Sequence, residues 1–187
     1  MRMMLALQRF ARRDLAATML TVVLPISSGA QLVRLSLLGY HTTVPLHWEA
    51  RGPSSAMRMA EFTVPADGDA RAEVVIYFFG KAQGGTVASN LARWKAQFSM
   101  PDGSPVYERT QADSAAAGFP ITFAEYRGTY ARGIGAGNAA TAKAGQALLA
   151  GIAETPRGTL FIQLFGDSSV VATQRAPFHA FVKGLRE

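Results

Sequence analysis

Thr155-Pro156-Arg157-Gly158 separates two runs rich in apolar residues, and this short stop constrains the fold more than any other segment of the chain. Proline at the second position of a tight turn presets the backbone φ that the turn needs. Residues 146–154 and 159–165 are therefore predicted to fold back on one another as an antiparallel hairpin. A second run, residues 72–79, is nearly continuous in β-branched and aromatic side chains and is expected as a central strand.

Residues 57–64 and 118–126 read as further strands, the first ending in the turn Pro65-Ala66-Asp67-Gly68-Asp69. Residues 32–46 form a mostly extended lead-in, closed by Pro45 and followed by Trp48. Val87, Leu91, Trp94 and Phe98 recur at spacings of four, three and four, which predicts a helix over 86–98 with these four on its core face. A second helix is predicted over 168–185, with Phe178, Phe181, Val182 and Leu185 sharing a face. A kink or restart is expected at Pro177, which lacks the N–H that a helix interior uses. Residues 128–145 are rich in glycine and alanine, and Gly133-x-Gly135-x-Gly137 within them reads as a flexible surface loop. Short turns between strands, with helices inserted late instead of after every strand, give an α+β domain whose mainly antiparallel β-sheet is flanked by helices. Alternating βαβ units are absent, which disfavours a Rossmann-like sheet.

The first thirty residues have a different character. Arg2, Arg9, Arg12 and Arg13 precede an apolar stretch over 15–26, and Ser28-Gly29-Ala30 offers a small-x-small cleavage site before Gln31. That order is a signal-peptide plan. Arg12-Arg13-Asp14-Leu15 also fits a twin-arginine export signal, and the general secretory route fits equally. Pro25 and Arg34 interrupt the apolar residues before the roughly 18–20 needed to cross a bilayer. Residues 1–30 are therefore expected as a cleaved signal peptide and 31–187 as one domain, exported to the bacterial periplasm, with no transmembrane span in the mature chain.

Of 19 basic and 13 acidic residues, four and one lie before Gln31, so the formal charge of +6 falls to +3 for the remainder. No cluster of Lys and Arg is left to neutralise a phosphate backbone, and nucleic acid is not an expected partner. Cysteine is absent. Disulfides, thiolate metal sites and a thiol nucleophile are excluded, and stability must come from packing.

Gly84-Gly85 followed by Asn90, Arg93, Trp94, Gln97 and Phe98 is the densest group of distinctive residues. At about 100° per residue, Asn90, Arg93 and Gln97 fall on one stripe beside the apolar one. An arginine fork and two amides at that boundary suit either of two tasks: tying local backbone together, or presenting a surface to a ligand or partner. Arg58, Asn90, Arg93 and Gln97 are the candidate ligand or partner surface. His41, His47 and His179 form no helical metal-ligand spacing, and Asp67, Asp69 and Glu73 lack the ligand series of a calcium loop. Gly133-x-Gly135-x-Gly137 falls short of a dinucleotide fingerprint, and no Gly-x-Ser-x-Gly elbow accompanies Ser54, Ser55, Ser168 or Ser169. No catalytic, cofactor-binding or metal residue is assigned, and no cofactor is expected.

Trp48, Pro53-Ser54-Ser55-Ala56-Met57-Arg58, Gly84-Gly85 and Asn90-x-x-Arg93-Trp94-x-x-Gln97-Phe98 form a pattern. It resembles that of a widespread family of uncharacterised exported bacterial proteins and lipoproteins. The turn at Pro156-x-Gly158, the strand Phe161-Ile162-Gln163-Leu164-Phe165-Gly166 and Phe178-x-x-Phe181 are similar to the same family, in which Lys is common where Gln163 stands. More distantly, the order of elements resembles the PsbP-like fold, an α/β/α sandwich shared by extrinsic photosystem subunits and a Ran-binding nuclear import factor. The resemblance implies an accessory or partner-binding role more than catalysis. The expected function is thus a non-enzymatic accessory or binding protein of the cell envelope, taking a protein or small molecule. The alternative is an envelope hydrolase with a site assembled from dispersed Ser, His and Asp residues.

Overall fold

The computed structural model describes residues 33–131 and 142–187. The expected signal segment, and Gly133, Gly135 and Gly137, lie outside the described residues.

The extended lead-in resolves into two strands, β1 (Val33–Leu37) and β2 (Tyr40–Val44). The turn between them, Leu38-Gly39, has φ of 52° and 78°, the left-handed pair that a two-residue type I′ hairpin requires. Leu38 tolerates that strain because its side chain packs on the core, and Arg157 Nη1 donates to its carbonyl oxygen at 2.8 Å. Then follow β3 (Glu49–Arg51), β4 (Arg58–Pro65), β5 (Arg71–Tyr77), α1 (Val87–Lys95) and β6 (Phe98–Ser99). The remainder is β7 (Tyr107–Ser114), β8 (Pro120–Tyr130), β9 (Lys143–Thr155), β10 (Gly158–Asp167) and α2 (Ser168–Lys183).

Strands β3 to β10 form one antiparallel sheet in the order β3-β4-β5-β10-β9-β8, with β6 and β7 both pairing with β8. Thr155 pairs with Gly158, so Pro156 and Arg157 are the two turn residues of the expected hairpin. The run at 72–79 supplies β5, which is central, between β4 and β10. Every residue from Gln146 to Ala153 is buried, because β9 is covered on both faces.

Period-two alternation divides the sheet's side chains between two cores. On one face Phe62, Val74, Ile76, Phe123, Leu149 and Ile162 pack under Phe178, Phe181 and Val182 of α2, joined by Leu37, Tyr40 and Val44 from the β1–β2 hairpin. On the other, Tyr126, Leu148, Ala150, Ile152 and Phe161 pack against Trp94 of α1 and Phe98. The result is the expected three-layer α+β sandwich.

Two helix expectations are corrected in detail. α1 starts where predicted, with Thr86 Oγ1 accepting the Ser89 N–H at 3.1 Å as its cap. It ends at Lys95, short of Phe98, which enters β6 and still reaches the same core. α2 does not restart at Pro177; helix is continuous through it. The carbonyl that loses its partner belongs to Thr173, a residue exposed to water, which can replace the missing donor.

Candidate functional site

α2 lies over β9 and β10 and leaves a groove of about 420 Å³ between itself and the β7–β8 edge of the sheet. Register builds its far wall. Tyr107, Arg109, Gln111 and Asp113 of β7 stand opposite Arg127, Glu125, Phe123 and Ile121 of β8, and Ile121 and Phe123 belong to the core beneath α2. The whole set therefore faces the helix. α2 contributes Ala172, Arg175, Ala176 and His179, which recur at helical spacing along its flank.

Glu125 anchors this arrangement. Its side chain is 4% exposed and lies among apolar neighbours, so its charge must be paired. Arg175 donates from Nη2 to Oε1 at 2.7 Å and from Nε to Oε2 at 3.2 Å. Arg127 donates from Nε to Oε1 at 2.7 Å, and its guanidinium rests 4.6 Å from the Tyr107 ring centroid. Burial pushes the Glu125 carboxyl up, but the bonds from Arg175 and Arg127 outweigh it and hold the group below the usual carboxylate range. His179 stacks on Phe123 with ring centroids 3.9 Å apart and planes 7° from parallel. Burial, reinforced by the charge of Arg175, pushes its imidazole below its ordinary value, so it is neutral at pH 7. Lys183 pairs with Asp113 at 2.8 Å across the end of the groove. The Arg109 side chain makes no hydrogen bond or ion pair among the described residues.

Glu125 is occupied by two arginines and His179 by an aromatic face. The other histidines are engaged elsewhere: His47 Nε2 meets Gln174 Oε1, and the His41 backbone bridges to Arg186. Among the described residues no serine hydroxyl is hydrogen-bonded to a histidine, and no group of three His, Asp or Glu side chains could hold a metal ion.

The four residues singled out from sequence lie on the opposite face of the sheet, along an aromatic ridge in which Tyr77 and Phe79 stack at 5.9 Å. They divide into two pairs. Asn90 is 2% exposed and donates from Nδ2 to the carbonyls of Gly84 and Thr86, at 2.8 and 2.9 Å. Arg93 is exposed and donates to Asn90 Oδ1. Both line a more open hollow of about 510 Å³ with Phe79, Gln83 and Ser89. The second pair flanks Tyr77: Arg58 sits 5.5 Å from its ring centroid and pairs with Glu61 at 3.1 Å, while Gln97 shares a small cleft with it. Asn90 thus ties a loop to its helix, and Arg58 is held in an ion pair.

Sequence reasoning missed the groove. One signal was legible: Glu125 is an acid within a strand of buried residues, and such a group requires a cation. Its partner Arg175 is 50 residues away and is found only through the fold.

No protein-family model matches the chain, and no curated protein sequence does. Among solved structures, the solution structure of cyanobacterial PsbP (CyanoP) from Synechocystis sp. PCC 6803 is similar, with a TM-score of 0.50 and 17% identity. The match covers 83% of this chain and 91% of that one. At that identity the likeness carries the fold: this chain has a PsbP-like architecture.

Proposed function

We propose that the protein is an exported accessory protein of the bacterial cell envelope that binds a ligand or partner without transforming it. The observation that carries this reading is the groove between α2 and the β7–β8 edge, where cationic side chains converge over an apolar floor and no nucleophile stands beside a free base. The signal-peptide plan of residues 1–30 supports export. No described helix is long and apolar enough to cross a membrane. The PsbP-like fold and the pattern from Trp48 to Gln97 support an accessory role by analogy.

Arg93, exposed and bonded to a single amide, supports a second surface on the opposite face. Native mass spectrometry of protein recovered from the envelope separates the two. Ala176→Trp fills the first groove from an exposed helix position, and Arg93→Ala empties the second. An adduct lost in Ala176→Trp and kept in Arg93→Ala is the expected result; the converse overturns the assignment.

A further inference from the structure

Resting on the groove as the binding site, we infer that its ligand is a small organic monoanion, a carboxylate head on an apolar aliphatic body. Charge bookkeeping on the groove's own residues leads there. Arg109 and Arg175 line the groove with a single interior carboxylate, Glu125, whose two oxygens are already taken by Arg175 and, from outside the lining, by Arg127, so the lining carries one positive charge in excess. The other acid at the groove, Asp113, is paired with Lys183. His179 carries no charge at pH 7. Arg109 is left without a counter-ion, and Arg175 binds Glu125 through Nε and Nη2 alone, with Nη1 unspent.

Guanidinium forks with free N–H groups select planar oxyanions, and a carboxylate takes two parallel bonds from such a fork. The remainder of the wall selects the body of the ligand. Beside the polar side chains of Gln111, Thr173 and His179, it is made of Phe123, Ala124, Leu149, Ala172 and Ala176, which offer no donor or acceptor side chain. An alkyl chain laid on these apolar residues gains by leaving water, whereas sugar hydroxyls or peptide groups set against them would lose their hydrogen bonds to water. A volume of about 420 Å³ is that of a site for one small molecule.

Decanoate is the probe, with decanol as its uncharged counterpart and an acidic decapeptide as the macromolecular one, each titrated into the protein and followed by amide chemical shifts. Decanoate is expected to saturate resonances of residues 109–111, 123–125 and 172–179, with decanol at least ~10-fold weaker. Arg109→Gln is expected to weaken decanoate about 10-fold, leaving decanol affinity and thermal midpoint unchanged, since no bond of the Arg109 side chain holds the fold. Equal affinity for decanoate and decanol, or no loss in Arg109→Gln, overturns the selection for an anion. Tighter binding of the peptide than of decanoate overturns the choice of a small ligand. A groove silent to all three probes, with the envelope adduct still lost in Ala176→Trp, overturns the ligand class and leaves the groove as the site.

Discussion

Asn90→Ala is expected to unsettle the loop before α1 far more than Arg93→Ala, although the two side chains touch. Asn90 is buried, and its amide supplies two donors to carbonyls. The Thr86 carbonyl keeps other partners, the Asn90 backbone N–H at 3.1 Å and Ser89 Oγ at 2.9 Å. The Gly84 carbonyl keeps none among the described residues, and Gly84 is itself half-buried. Leaving one such acceptor unsatisfied costs about 1–3 kcal/mol, and the lost bond to Thr86 adds roughly 0.5–1. Alanine restores about 0.5 kcal/mol of helix propensity. The sum is a loss of about 1–3.5 kcal/mol, or roughly 2–14 °C in thermal midpoint for a domain of this size. Arg93 is exposed and gives one bond to a neutral amide, so its removal is expected to cost about 0.5 kcal/mol or less. Urea melts of the two variants measure the difference. Equal losses would refute the assignment of Asn90 as the tie and Arg93 as its accessory.

Trp94→Ala is expected to cost about 3–5 kcal/mol by opening a cavity under α1, where Trp94 is 3% exposed. Lys95→Ala breaks only a solvent-exposed pair with Glu108 and is expected to cost about 0.5 kcal/mol or less in the same melts. Stability should also fall with acid in two steps. The His179 imidazole is held below its ordinary 6.5, so the unfolded chain takes the proton first and stability drops as pH falls below that value; His179→Phe removes this slope. Glu125, held below its ordinary 4.5, contributes stability that is present above that pH and lost as pH falls through its lowered value, and Glu125→Gln flattens that limb. Intact-mass measurement on protein recovered from outside the cytoplasm is expected to show a chain beginning at or near Gln31, and a mass retaining residues 1–30 would refute cleavage.

Elements that bury a face were legible in the sequence, because burial writes a period into it. The run at 72–79 and the Pro156 turn gave β5 and the β9–β10 hairpin, and the stripe of Val87, Leu91 and Trp94 gave α1. β7 was not legible: Tyr-Glu-Arg-Thr-Gln-Ala-Asp-Ser is almost wholly exposed, and an edge strand paired only with β8 needs no apolar alternation. The Leu38-Gly39 turn was hidden for another reason, since leucine rarely adopts left-handed backbone and is held there by its packing and by Arg157. Phe98 extended the helical stripe by one step past the real helix end because α1 and β6 feed the same core. The candidate site was legible least of all. Arg109, Glu125 and Arg175 come from two strands and a helix, and nothing in local spacing joins them.

The most direct test of the groove as the binding site is a map of amide chemical shifts of the protein before and after it is exposed to a small-molecule extract of the cells that make it. Perturbations gathered on residues 109–111, 123–125 and 172–179, which surround the groove, are the expected result. Perturbations confined to residues 83–93, on the opposite face, would contradict it.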